Sequence, residues 1–141
     1  MINKNNFRQL LQKLGFTEEH SVAYVFSKKI EDCYLKADFT HETLIYPDAL
    51  KAHRETTKNF SQNENFVVFE CVHRLLMQGY NPAHIELEKP MPGGHGDTGG
   101  YCDIIIKDNY EKPYLLIECK NSGERILRCM AKNGNKWWAV V

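Results

Sequence analysis

The stretch "GGYCDIIIKDNYEKPYLLIECKN", residues 99–121, decides how this chain is read. Two apolar runs, YCDIIIK (101–107) and PYLLIECK (113–120), flank the turn-rich DNYEK (108–112). Each run suits a strand, and the pair suits an antiparallel hairpin. Yet the runs carry Asp103, Glu118 and Lys120. A charge in such a run is costly to bury unless something compensates it. If Lys107 pairs with Tyr114, Ile106 faces Leu115, Ile104 faces Ile117 and Asp103 faces Glu118. Residues opposite one another share a face, with Cβ atoms about 4.5–5.5 Å apart. Lys120 lies two residues beyond Glu118 and joins that face. The other face carries Cys102, Ile104, Ile106, Leu115, Ile117 and Cys119.

Two carboxylates so close repel each other. A divalent cation between them reverses that sign. Oxygen ligands of this kind suit Mg²⁺ or Mn²⁺. Such a metal lowers the pKa of a bound water and polarises a phosphoryl oxygen. Lys120 then orients the water or offsets transition-state charge. The competing reading is a solvated strand end with a surface Glu118–Lys120 pair. For an isolated D…E-x-K that reading is the commoner one. Here the register and the two-sided apolar strands favour a metal-dependent hydrolytic site.

Asp103 in YCDIIIK, with Glu118 and Lys120 in LLIECK, resembles the signature of the PD-(D/E)XK nuclease superfamily. The stretch from NFVVFECVHRLLMQGYNPAHIELE through IECKN is more specifically similar to the N-terminal nuclease domain of type I restriction enzymes and related restriction-modification proteins. The resemblance covers about residues 60–121 and reaches the first third only loosely. It implies an α/β, restriction-endonuclease-like fold: a mixed sheet flanked by helices. It also implies Asp103 and Glu118 as metal ligands, Lys120 as the catalytic lysine and Glu70 as an assisting helix glutamate. The carbonyl of Cys119 would join the metal shell. Mg²⁺ or Mn²⁺ is then the cofactor. Double-stranded DNA and larger restriction subunits are the partners.

The sequence departs from that pattern in two ways. No Q-x-x-x-Y motif follows the E-x-K in NSGERILRCMAKNGNKWWAVV. Members of the family are also usually much longer. A fragment, a truncated gene and a minimal homologue are all open readings, as is the activity of the isolated chain. The alternative function is a catalytically silent module that binds DNA or docks onto restriction subunits. A third class is a structure-selective nuclease acting in repair.

At 141 residues the chain suits one domain, or one domain with a small appendage. We divide it into an accessory region, 1–55, and a nuclease-like core, 56–141. Its 18 basic and 18 acidic residues exclude a wholly basic nucleic-acid coat but not a local basic patch. The five cysteines, Cys33, Cys71, Cys102, Cys119 and Cys129, are odd in number and lack a C-x-x-C pair. They read as reduced thiols of a cytoplasmic protein, with zinc a minor alternative. A signal peptide and a membrane span are both absent from the pattern.

Residues 5–14 predict a short amphipathic helix stopped by Gly15. VAYVFSKKI and DCYLKADF suit strands, and YPDALKAHRETT suits a polar helix. SQNE (61–64) reads as a capping box opening a helix over 62–78. Glu70, His73, Arg74 and Met77 form one stripe of that helix, apart from its apolar side. His73 and Arg74 read as surface residues. AHIELEKP suits a strand, and MPGGHGDTGG a flexible connection containing His95. GERILRCMAKNG predicts a helix with Arg125, Arg128 and Lys132 on one side, a candidate DNA-contacting edge. KWWAVV suits a terminal strand, with one of Trp137 and Trp138 in the core.

Overall fold

Asn3 starts the first helix, α1 (Lys4–Lys13), by accepting hydrogen bonds from the N–H groups of Asn5 and Asn6. The Asn6 side chain answers to the Asn3 N–H, closing a capping box. Phe7 and Leu11, one turn apart, are the buried face. Gly15 stops the helix at a φ of 86°, a conformation that glycine adopts without strain. The computed structural model describes residues 1–93, 99–121, 129–133 and 136–140.

An antiparallel sheet follows in chain order: β1 (Thr17–Glu18), β2 (Val25–Ile30), β3 (Cys33–Asp38) and β4 (Thr43–Ile45). Phe26, Leu35, Ala37 and Leu44 point inward. The polar helix expected at YPDALKAHRETT does not form. That segment holds a turn, the short strand β5 (Lys51–Ala52) and the start of a 3-10 turn, Glu55–Lys58. Its buried apolar residues, Tyr46, Pro47 and Leu50, do not recur at the spacing of one helical face along the segment. Its backbone pairs with the sheet instead, and the His53 N–H donates to the Leu87 carbonyl at 3.0 Å.

The second helix, α2 (Asn63–Met77), is capped at Gln62 without a side-chain hydrogen bond. The expected Ser61–Glu64 capping box is absent, because the Ser61 hydroxyl donates to Asn59 instead. The helix is buried on nearly all sides, including Glu70 and His73 of the expected stripe. His73 is therefore not the surface residue expected, while Arg74 remains exposed.

A mixed four-stranded sheet runs in the order β5, β6 (Ile85–Pro90), β7 (Tyr101–Lys107), β8 (Pro113–Ile117). β5 and β6 are parallel, and the other pairs are antiparallel. In the β7–β8 hairpin Ile106 pairs with Leu115 and Ile104 with Ile117, as the sequence predicts. Lys107 pairs with Pro113 rather than Tyr114, because the register shifts between Ile106 and Lys107. The Asp108 carboxylate takes up the shortened loop by accepting from the N–H groups of Tyr110 and Lys112. Gly99 supports the β6–β7 connection. A Cβ there would collide with the Met91 carbonyl, next to the 2.8 Å bond from Met91 N–H to Gly100.

The last described elements are β9 (Cys129–Asn133) and β10 (Lys136–Val140), an antiparallel pair. The helix expected over 123–134 is thus contradicted at 129–133, and the rest of it lies outside the described residues. Gly134-Asn135, between two strands rich in apolar residues, is hairpin composition that outweighs the local helical spacing.

Both four-stranded sheets and both helices contribute to one apolar cluster. Phe7 stacks on Phe66 at 4.4 Å between ring centroids and meets Phe60 and Phe69 edge-on at 5.8 Å. Ile2 and Asn121 exchange two hydrogen bonds, 3.1 and 2.8 Å, tying the start of the chain to the residue after Lys120. No helix among the described residues is long and apolar enough to cross a membrane. The fold is mixed α/β.

Candidate active site

The ladder of the central hairpin ends at Ile104–Ile117, and the next residues in register are Asp103 and Glu118. Asp103 Oδ2 accepts a hydrogen bond from the Cys119 N–H at 2.5 Å. The Asp103 and Glu118 side chains also hydrogen-bond each other. Burial pushes the Glu118 carboxyl up, the Asp103 charge adds to this, and Lys120 opposes it. Both effects place the two carboxyl groups side by side. Lys120 is exposed at the end of this segment, within electrostatic reach of Glu118.

Two further glutamates enter the same field. Glu64, in the first turn of α2, is raised by burial and by Asp103, and Lys120 opposes both. Glu88 is raised by burial, then by Asp103, with Glu64 adding and Arg54 opposing. On β6, Leu87 pairs with Ile104 and Lys89 with Cys102, so Glu88 and Asp103 face each other between them. Glu88 has a φ of 50°, a left-handed backbone that costs about 1–3 kcal/mol for a residue with a side chain. The sequence reading missed both glutamates. Glu64 was assigned to a cap, and Glu88 passed as one more polar residue in the alternation Glu86-Leu87-Glu88. The S-x-x-E signal was there, but it placed Glu64 at a helix start without saying what that start would face.

Glu70, named by the resemblance, is buried on α2. Its side chain is 3% exposed and accepts from Arg74 Nε at 2.5 Å. It is six residues further along α2, roughly 9 Å of helical rise from Glu64.

Arg125, Arg128 and His95 lie outside the described residues. Lys132 lies on β9, paired with Trp137, so it belongs to no helical face. Cys33 and Cys102 are free thiols. The Cys102 thiol is pushed up to about 12, by burial first and then by the Glu118 charge. It donates to the carbonyls of Ile104 and Ile117. Among the described residues no three His, Cys, Asp or Glu side chains close around a single metal position. A pocket of about 770 Å³ lies elsewhere, between β3, β4 and the end of α2, and includes Tyr34, Tyr46 and Tyr80. None of the site carboxylates lines it.

No protein-family model matches the chain, and no curated protein sequence matches it.

Proposed function

We propose that the chain is a Mg²⁺- or Mn²⁺-dependent DNA endonuclease domain of a restriction-modification system. Its fold would then be the restriction-endonuclease-like version of the mixed α/β architecture. The observation that carries this reading is the contact between the Asp103 and Glu118 carboxyls at the end of adjacent strands, with Lys120 beside them. The donor set fits the ion. Mg²⁺ is commonly held through one or two carboxylates, keeping waters and substrate oxygens for the rest of its shell. Two carboxylates at the rim therefore suffice without a closed protein cage. When bound, the metal supplies an acidified water and polarises a phosphoryl oxygen.

The remaining steps belong to the protein. Asp103 and Glu118 are the residues that would hold the cation, both ionised, at the end of the hairpin. The Cys119 N–H holds Asp103 Oδ2, so that carboxylate keeps one orientation. Lys120 positions the attacking water or meets the charge that develops on the phosphate. Glu64, in the first turn of a buried helix, would extend the anionic wall and would accept a hydrogen bond from the attacking water. A duplex substrate needs an open rim of this kind rather than an enclosed cavity.

Plasmid nicking tests the reading. Purified protein is incubated with supercoiled DNA, with and without Mg²⁺ or Mn²⁺. Metal-dependent relaxation is expected, and Lys120→Ala should lower the rate by roughly 10²–10⁴-fold. DNA binding without cleavage would move the chain to the silent-module class. Absence of both would end the nuclease reading.

A further inference from the structure

We propose that Arg54 is a DNA-contacting residue that grips a backbone phosphate flanking the one cleaved. This rests on the nuclease reading above. Arg54 lies two residues beyond β5, and Glu88 and Asp103 face each other across β6 and β7. The order Arg54, Glu88, Asp103, Glu118 therefore crosses the end of the sheet, with Lys120 at the far side. Three strand spacings make that span roughly 14 Å.

The guanidinium is held but not used up. Its central carbon lies 4.7 Å from the Tyr101 ring centroid. Its Nη1 is 3.9 Å from Glu88 Oε2, beyond hydrogen-bond length, and the side chain is 46% exposed. A face on an aromatic ring leaves the edge N–H groups pointing outward. That edge is the planar fork that matches two phosphate oxygens. Neighbouring cations are committed elsewhere: Lys89 donates to Glu86 at 2.8 Å, and Lys107 is bound to Glu111. Among the described residues Arg54 and Lys120 are thus the two site cations with donors available at either end of the row. Glu88 serves as a loose counter-charge that orients Arg54 until a phosphate takes it over.

The test is fluorescence anisotropy with a labelled 20-base-pair duplex, Ca²⁺ in place of Mg²⁺, over a series of salt concentrations. Arg54→Ala should weaken binding roughly 5- to 10-fold and lower the slope of log K against log salt by about 1. Arg54→Lys should restore the slope and only part of the affinity, since a point charge replaces the fork. Tyr101→Phe should bind like wild type, and Tyr101→Ala should be weaker. Melting curves check folding, and Arg54→Gln repeats the experiment if Arg54→Ala is unstable. Unchanged affinity and slope in Arg54→Ala would overturn the inference while leaving the nuclease reading intact. Weaker binding at an unchanged slope would also overturn it, because a packing effect releases no counterion. A wild-type protein that fails to bind any duplex would remove both.

Discussion

Asp103 does two jobs, and substitutions separate them. Its Oδ2 satisfies the buried Cys119 N–H, and its charge acts on Glu118, Glu64 and Glu88. Asp103→Asn keeps an oxygen acceptor and removes the repulsion. The metal-free melting temperature should then stay equal or rise, while metal-dependent cleavage is lost. Asp103→Ala removes the acceptor as well and should cost about 1–3 kcal/mol. Equal losses for both variants in thermal melts would mean that the charge itself holds the fold. His73 presents a different residue-scale case. Lys28 Nζ lies 2.9 Å from His73 Nε2 and donates to the Leu14 carbonyl at 2.6 Å, so the ring stays neutral. Burial, then the charges of Lys28 and Arg74, lowers its pKa to about 4. The unfolded chain takes up this proton near pH 6.5, well before the folded one. Stability from this source is complete above that pH and falls as pH drops from 6.5 toward 4. Between pH 7 and 5 it should amount to about 2 kcal/mol. Urea titrations at the two pH values should show this loss in wild type and not in His73→Gln.

At the scale of elements, α2 divides its glutamates by position. Glu64 is in the first turn, where the helix begins near the sheet end, and Glu70 is sealed against Arg74. Glu64→Gln should reduce metal-dependent cleavage with little change in melting temperature. Glu70→Gln should do the reverse, costing stability by about 1–3 kcal/mol through the buried hydrogen bond it weakens. Nicking rates and melts of the pair decide between them, and a Glu70→Gln protein that is stable but inactive would return Glu70 to the site. The hairpin of β7 and β8 was legible from local pattern alone. Period-two alternation sets which side chains share a face, and a one-residue slip would bury Asp103 and Glu118. The bulge at Lys107 was not legible, because it depends on how Asp108 ties its own loop. β9 was misread for a similar reason. Its helical spacing is a weak preference that a paired neighbour strand overrides.

For the whole molecule, residues 1–55 supply Phe7, Leu11, Phe26, Leu35 and Leu44 to the same cluster as Phe66, Phe69, Ile85 and Ile104. A fragment starting at residue 56 would expose that surface and also lose β5 from the edge of the mixed sheet. It should therefore fail to give a cooperative melt, whereas the full chain should melt in one transition. A separately folded 56–141 fragment would show that the shared cluster is dispensable. The sequence by itself determined the class of fold, the two helices it marked most strongly, and the facing of Asp103 and Glu118. Those follow from side-chain periodicity and turn chemistry, which act over a few residues. Only the tertiary structure decided which other charges meet them. Glu64, Glu88 and the Arg54 beside Glu88 come from three distant parts of the chain, and no local pattern encodes contacts across such intervals. The same long-range packing buries Glu70, because a residue's surroundings are set by what its element packs against.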